Sequence, residues 1–267
     1  MRKHTNLFLT SKTLPGGRSV ATILTMEGEQ ENMLGLPLLS SLLETLHHLS
    51  TDASSQCVIL TSAHPIFSSG PDVTILSDPT QPLFRQWYRL LASVHDALLT
   101  FPKPIAAAIN GHCPSLGCAL VLPCDERVMS AGPKEKPHMI GFNDGQLGMQ
   151  VPPWLVANFC AVTGQVMHKV EKLLATSQML SAEEAFRYGV VDTIVTHESG
   201  GVEGVVEAAI ERLLPHLAVP SSSWLMTKAM LRGETTMAMR HEGYAKIVEV
   251  AWANSLGLRD VNERISA

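Results

Sequence analysis

The sequence predicts an α/β protein with a layered core over residues 1–200 and a helical region over 201–267. Three observations predict it. Strand-like and helix-like segments alternate over the first 150 residues, the pattern of strands covered by crossover helices. The strand signal nearly vanishes after Val151. Three strand ends carry glycine and small residues, "FSSGPDV", "INGHCPSLG" and "FNDGQLG", and ligands of open α/β sheets bind beyond the carboxyl ends of strands.

The elements follow in order. "NLFLTSKTLPGGRSVATILTM" reads as two strands around a Pro-Gly-Gly turn, ending near Glu27. Leu36 to Leu49 places Leu39, Leu42, Leu43, Leu46 and Leu49 on one helical face. "QCVILTS" is a short, uniformly apolar strand of the kind buried in parallel sheets. After the loop "AHPIFSSGPDV", residues 82–100 return to helix, with Phe84, Trp87, Leu90, Leu91, Val94 and Leu98 as the stripe. "PIAAAIN" is a strand running into Gly111, "SLGCALVLPC" a buried helix and "ERVMSA" a further strand. "HMIGFN" is a strand that delivers Asp144 at its carboxyl end. Pro152 and Pro153 open a helix, because proline is tolerated in a first turn. Ser181 and Glu184 form a capping box, and Gly189 suits the C′ position of the helix it opens. "VVDTIV" is a late strand, and residues 202–217, 221–232 and 237–255 are helical.

Bulk properties bound the function. Net charge is −5, and no basic stripe is present, which argues against nucleic acid as a partner. No apolar run approaches the roughly 20 residues of a membrane span. The five cysteines are odd in number and lack C-x-x-C spacing, so they read as reduced, buried thiols of an intracellular protein. The eleven histidines are scattered without a metal-ligand pattern, and no metal is expected. The first 26 residues carry Arg2, Lys3, Lys12 and Arg18 and no acid, but they also form the hairpin, so at most their first few are a targeting remnant.

Asp144 is the carboxylate of "FNDGQLGM", with no cation within four positions on either side. On local pattern, Asn-Asp-Gly is a turn signal. An apolar run of Ile140, Phe142, Leu147, Met149, Val151 and Trp154 equally suits a general base, since burial raises a carboxyl pKa toward neutral pH.

Four stretches carry a resemblance to the crotonase family, the enoyl-CoA hydratase/isomerase superfamily. "KPIAAAINGHCPSLGCALVLPCDERVMS" resembles its signature, and "VILTSAHPIFSSGPDV" its first substrate loop. "SAEEAFRYGVVDTIV" and "LMTKAMLR" resemble downstream segments, and the match runs in order from about residue 20 to residue 255. Within the family, "INGHCPSLGC", "IGFNDGQLG" and "PPWL" resemble the 3,2-trans-enoyl-CoA isomerase branch.

The resemblance implies a spiral of ββα units followed by helices that build a trimer or hexamer. It implies an acyl-CoA thioester as substrate, with no metal or redox cofactor, and a mitochondrial matrix location, with a peroxisome-type organelle or the cytoplasm as alternatives. It makes Asp144 the single base and the N–H groups of Ser69 and Leu116 the oxyanion hole. Phe67, Ser68, Gly70, Pro71, Asp72, Val73, Gly117, Phe142 and Asn143 become the substrate-binding residues. Hydratases of the family use two glutamates; Ala119 stands at the first position and Asp144 at the second. Asp144 replaces the glutamate of the isomerases, and Leu116 replaces a usual glycine. The implied reaction is therefore transposition of a 3-enoyl double bond to the 2-position, as in β-oxidation of unsaturated fatty acids. The rivals are hydration or thioester hydrolysis, and acyl-CoA binding without turnover. By the same resemblance Asn32 holds a loop near the CoA entry, and Asp72 caps a helix. Gly111, Gly117 and Gly148 allow close approach to the ligand, and Lys228 and Arg232 either reach CoA phosphates or face solvent.

Overall fold

The computed structural model describes residues 3–4, 6–17, 20–77, 81–147, 149–196 and 201–239. Strands β1 (Lys3–His4), β2 (Leu7–Thr13) and β3 (Val20–Met26) form an antiparallel meander with the Pro-Gly-Gly turn between the last two. A one-turn element, α1 (Glu29–Asn32), leads into the two-residue strand β4 (Met33–Leu34) and helix α2 (Leu36–Thr51). Then come β5 (Cys57–Ser62), β6 (Gly70–Pro71), the short α3 (Val73–Leu76) and the long α4 (Pro82–Leu99). Next are β7 (Ile105–Ile109), β8 (Cys113–Pro114), α5 (Leu116–Val121), β9 (Glu126–Ser130) and β10 (Met139–Gly141). A 3₁₀ turn over Asp144–Leu147 precedes α6 (Pro153–Thr163) and α7 (Met167–Ala175). The rest is β11 (Leu180–Ser181), α8 (Ala182–Tyr188), β12 (Thr193–Val195), α9 (Gly201–Leu217), α10 (Ser221–Leu231) and α11 (Gly233–Met239).

The main sheet has the order β1-β2-β3-β5-β7-β9-β12, and every pair from β3 onward is parallel. All six residues of β5 and all five of β7 are buried, as expected where helices cover both faces. On one face Cys57, Ile59, Ala106, Ala108 and Val128 pack against Val205, Ala209 and Leu213 of α9. On the other, Val58, Leu60, Ala107 and Ile109 join the leucine stripe of α2 and the aromatic stripe of α4. The alanines of β7 keep side chains short on both faces, which lets helices sit close.

The mouth of β9 carries three consecutive charged residues, each neutralised by a different downstream element. Asp125 takes Lys228 (2.9 Å) and Arg232 (2.8 Å). Glu126 takes Arg212 (2.8 Å) and His216 (2.9 Å). Arg127 pairs with Asp192 (2.7 Å). Lys228 and Arg232 are therefore engaged by Asp125, the first buried and the second half-buried, and neither is a free cation awaiting a phosphate. Lys228 is buried, donates also to the Phe101 carbonyl, and its ammonium is pulled down to about 8 by burial against the opposing pull of Asp125. Arg232 also donates to the Leu99 and Pro123 carbonyls.

The structure adds α7, which the sequence pattern does not announce. Helix α11 begins at Gly233, not at 237, and the rest of the helix expected to 255 lies outside the described residues, as does Gly148. The capping box is formed: Ser181 Oγ accepts from the Glu184 N–H and Glu184 from the Ser181 N–H, and Gly189 closes α8 at φ 76°.

Candidate active site

Three segments converge. β8 lies parallel to β10, pairing Cys113 with Ile140 and Pro114 with Gly141, so the chain entering α5 runs beside the chain entering Asp144. The loop from Phe67 to Asp72 closes the third side. A Cβ on Gly117 would meet Ser68 Cβ at 3.1 Å, and one on Gly70 would meet Ser115 Cβ at 3.4 Å. Only small residues permit that spacing. Gly111 shows the same principle at greater severity. A Cβ there would stand 2.1 Å from the Pro65 carbonyl oxygen, so this glycine admits a neighbouring chain, not a ligand.

Asp144 is 3% exposed. Burial holds its carboxyl above the usual range, against the lowering effect of a hydrogen bond from Ser115 Oγ to Oδ1. Its other oxygen, Oδ2, is buried and has no hydrogen-bond partner among the described residues; Asn143 Oδ1 shares that condition. An unpaired buried acceptor is costly and draws attention to function. Phe142, two residues before Asp144, is buried edge-on against Phe159 (6.1 Å between centroids).

Leu116 is the first residue of α5, where an N–H has no acceptor within the helix. The Ser69 N–H is differently placed: it donates to the Glu31 carbonyl (3.0 Å), and its hydroxyl donates to the Gln30 carbonyl (2.7 Å). Those carbonyls are presented by a left-handed stretch, with Gln30, Glu31 and Asn32 at φ 47°, 57° and 61°. Asn32 holds this loop. It is fully buried, accepts from the Gly28 N–H, and donates to Ser62 Oγ and the Phe67 carbonyl.

Phe67 is buried in the main core, and Ser68 donates its hydroxyl to the Asn32 carbonyl. Gly70 and Pro71 pair with β4, and Asp72 caps α3 by accepting from the Thr74 N–H and hydroxyl. Val73 is exposed at the start of α3. Gly117 lies inside α5 with Ala119, whose side chain is buried. Ser115, the residue that touches Asp144, is not marked by the sequence pattern, and its one signal is a hydroxyl immediately before the helix. Among the described residues no group of three or more His, Cys, Asp or Glu is placed to hold a metal ion. Cys113, Cys118 and Cys124 are free, buried thiols pushed up by burial.

The enoyl-CoA hydratase/isomerase family model matches residues 16–248. The chain belongs to that family. Its relatives within the family carry both kinds of name. The mitochondrial enoyl-CoA delta isomerase 1 of Homo sapiens is 29% identical over 83% of this chain and 70% of its own length. A putative enoyl-CoA hydratase of Thermus thermophilus is 27% identical over 93% of both chains. The crystal structure of human mitochondrial delta3-delta2-enoyl-CoA isomerase superposes with a TM-score of 0.81 at 25% identity, covering 98% of this chain and 96% of that one. The architecture is thus the crotonase fold with a helical C-terminal region, and the protein is an enzyme of the crotonase family.

Proposed function

We propose that this crotonase is a Δ3,Δ2-enoyl-CoA isomerase acting on unsaturated acyl-CoA thioesters. The observation that carries the reading is the buried carboxyl of Asp144, one oxygen held by Ser115 at the start of α5 and the other unpartnered among the described residues, while α5 carries a buried Ala119 at the position where the family's hydratases have their first acid. A single base suffices to move a double bond. Asp144 Oδ2 takes the C2 proton, and the C2–H electrons pass into the conjugated system and onto the thioester oxygen. The dienolate then takes the same proton back at C4, leaving the double bond between C2 and C3. Hydration needs a second group to activate water, and Ala119 cannot supply it.

The developing oxyanion requires preorganised donors, each typically worth about 3–4 kcal/mol. The Leu116 N–H sits at the helix start, where the dipole also favours negative charge. The Ser69 N–H would join it by exchanging the Glu31 carbonyl for the thioester oxygen, one acceptor for another. Catalytic hydrogen bonds commonly align only when substrate is bound. CoA is the handle of the substrate, and no metal or redox cofactor enters the scheme. We assign residues 201–267 to trimer formation, and place the protein in the mitochondrial matrix on the strength of its mitochondrial relatives.

A second reading, acyl-CoA binding without turnover, is favoured by the engaged Ser69 N–H. One assay separates the readings. With 3-hexenoyl-CoA, absorbance of the conjugated 2-enoyl product should rise, and 2-butenoyl-CoA should not be hydrated. Loss of 2-butenoyl-CoA would select a hydratase, and binding of acyl-CoA with neither change would select the silent reading.

A further inference from the structure

Ser115 stands out on backbone and side chain together. Its φ is 52° and its ψ −122°, a conformation that side-chain-bearing residues rarely adopt and that costs on the order of 1–3 kcal/mol. Its N–H donates to the Gly141 carbonyl (2.7 Å), which fixes this backbone against the strand leading to Asp144. Its hydroxyl, in a buried residue, donates to Asp144 Oδ1. Of the two carboxyl oxygens, one is thus restrained and the other is bare.

We propose that Ser115 is a positioning residue for the base: its hydroxyl pins Asp144 Oδ1 and leaves Oδ2 as the proton-accepting atom. The proposal rests on the isomerase reading for its catalytic meaning, but the Ser115–Asp144 coupling is measurable without it. Aspartate is one bond shorter than glutamate, about 1.5 Å, so a base of this length gains from being held in place. A hydrogen bond donated to a carboxylate stabilises its charged form and offsets part of the penalty of burial. Among the described residues the other titratable side chain that feels Asp144 is Cys118 on α5, whose thiol is pushed up by burial and stays neutral. Asn143 and Gln146 on its own segment carry no charge.

The test compares wild type with Ser115→Ala, which deletes the hydroxyl and keeps the Cβ, and Ser115→Gly, which also relieves the positive φ. The Asp144 carboxyl is titrated by carbon-13 NMR, its signal assigned by disappearance in Asp144→Asn. The pH dependence of kcat/KM with 3-hexenoyl-CoA is measured in parallel. Both Ser115 variants should raise the carboxyl midpoint by about one to two pH units, the size of a charge-assisted hydrogen bond. The acidic limb of the rate profile should move with it, while Ser115→Gly melts at a higher temperature than Ser115→Ala. An unmoved carboxyl midpoint in both variants would overturn the proposal and leave Ser115 a packing residue. A shifted midpoint in a protein that turns over no 3-enoyl-CoA would support the coupling while removing the isomerase reading.

Discussion

Asp144 occupies a site that works against folding. Its carboxyl ionises in the unfolded chain near 3.8 and at higher pH in the folded protein, because burial disfavours the anion. The sign follows from linkage. Below the unfolded value both states are neutral and the residue has no effect. As pH rises from there toward the folded value the unfolded state loses its proton first, and stability falls. Asp144→Asn keeps an acceptor for Ser115 and removes the anion. It should therefore unfold at higher denaturant concentration than wild type at pH 7, with the difference shrinking toward zero near pH 3. A variant less stable than wild type at pH 7 would contradict this. His95 affects both proteins equally. It is buried neutral between the Ala119 carbonyl (3.0 Å) and Asn158 (3.0 Å), and burial pulls it down to about 3. Stability of wild type and variant alike is lost as pH falls from about 6.5, where the unfolded histidine takes its proton.

At the scale of elements, Asp125 ties the C-terminal helices to the sheet. It accepts from the Ile105 N–H, from Lys228 and from Arg232. Asp125→Ala leaves the buried Lys228 and the half-buried Arg232 without their anion and should cost about 3–5 kcal/mol. Chemical denaturation checks this, and a loss under 1 kcal/mol would show α10 docking by apolar contact alone. This anchor also marks the limit of sequence reading. The stripes of α2 and α4, the apolar run of β5 and the capping box of α8 are local patterns, and the chain adopts them. Strands β4, β6, β8 and β11 have two residues each and exist only through distant partners, so no local period announces them. Helix α7 buries just Val170 and Leu173, too few apolar positions for a stripe. Lys228 reads as a surface lysine because its partner lies 103 positions away. The position of Asp144 at a strand's end was legible from its neighbours. Its hydroxyl partner was not, since Ser115 reaches it across 29 residues. Nor was the acceptor of the Ser69 N–H, which depends on a left-handed turn of three residues that are not glycine.

At the scale of the whole molecule, α10 and α11 leave Met226, Met230, Leu231 and Met237 exposed, with Leu231 at 80%. Single exposed apolar residues are ordinary, but four on consecutive helices suit the trimer contact assigned to residues 201–267. Met230→Glu with Leu231→Glu should convert the proposed trimer to monomer in light scattering, with the far-ultraviolet circular dichroism retained. An unchanged mass would move the contact elsewhere. Among the described residues no helix is long and apolar enough to cross a membrane.

In the proposed isomerase, Asp144 is the one base of a double-bond transposition. The most direct measurement is the rate of 3-hexenoyl-CoA conversion to the conjugated 2-enoyl product by wild type and Asp144→Asn, with acyl-CoA affinity measured on both. Turnover should fall at least about 1000-fold with affinity nearly unchanged, because the substitution removes proton transfer and leaves the surrounding side chains in place. An Asp144→Asn enzyme that turns over at the wild-type rate would contradict it and return Asp144 to the role of a turn residue.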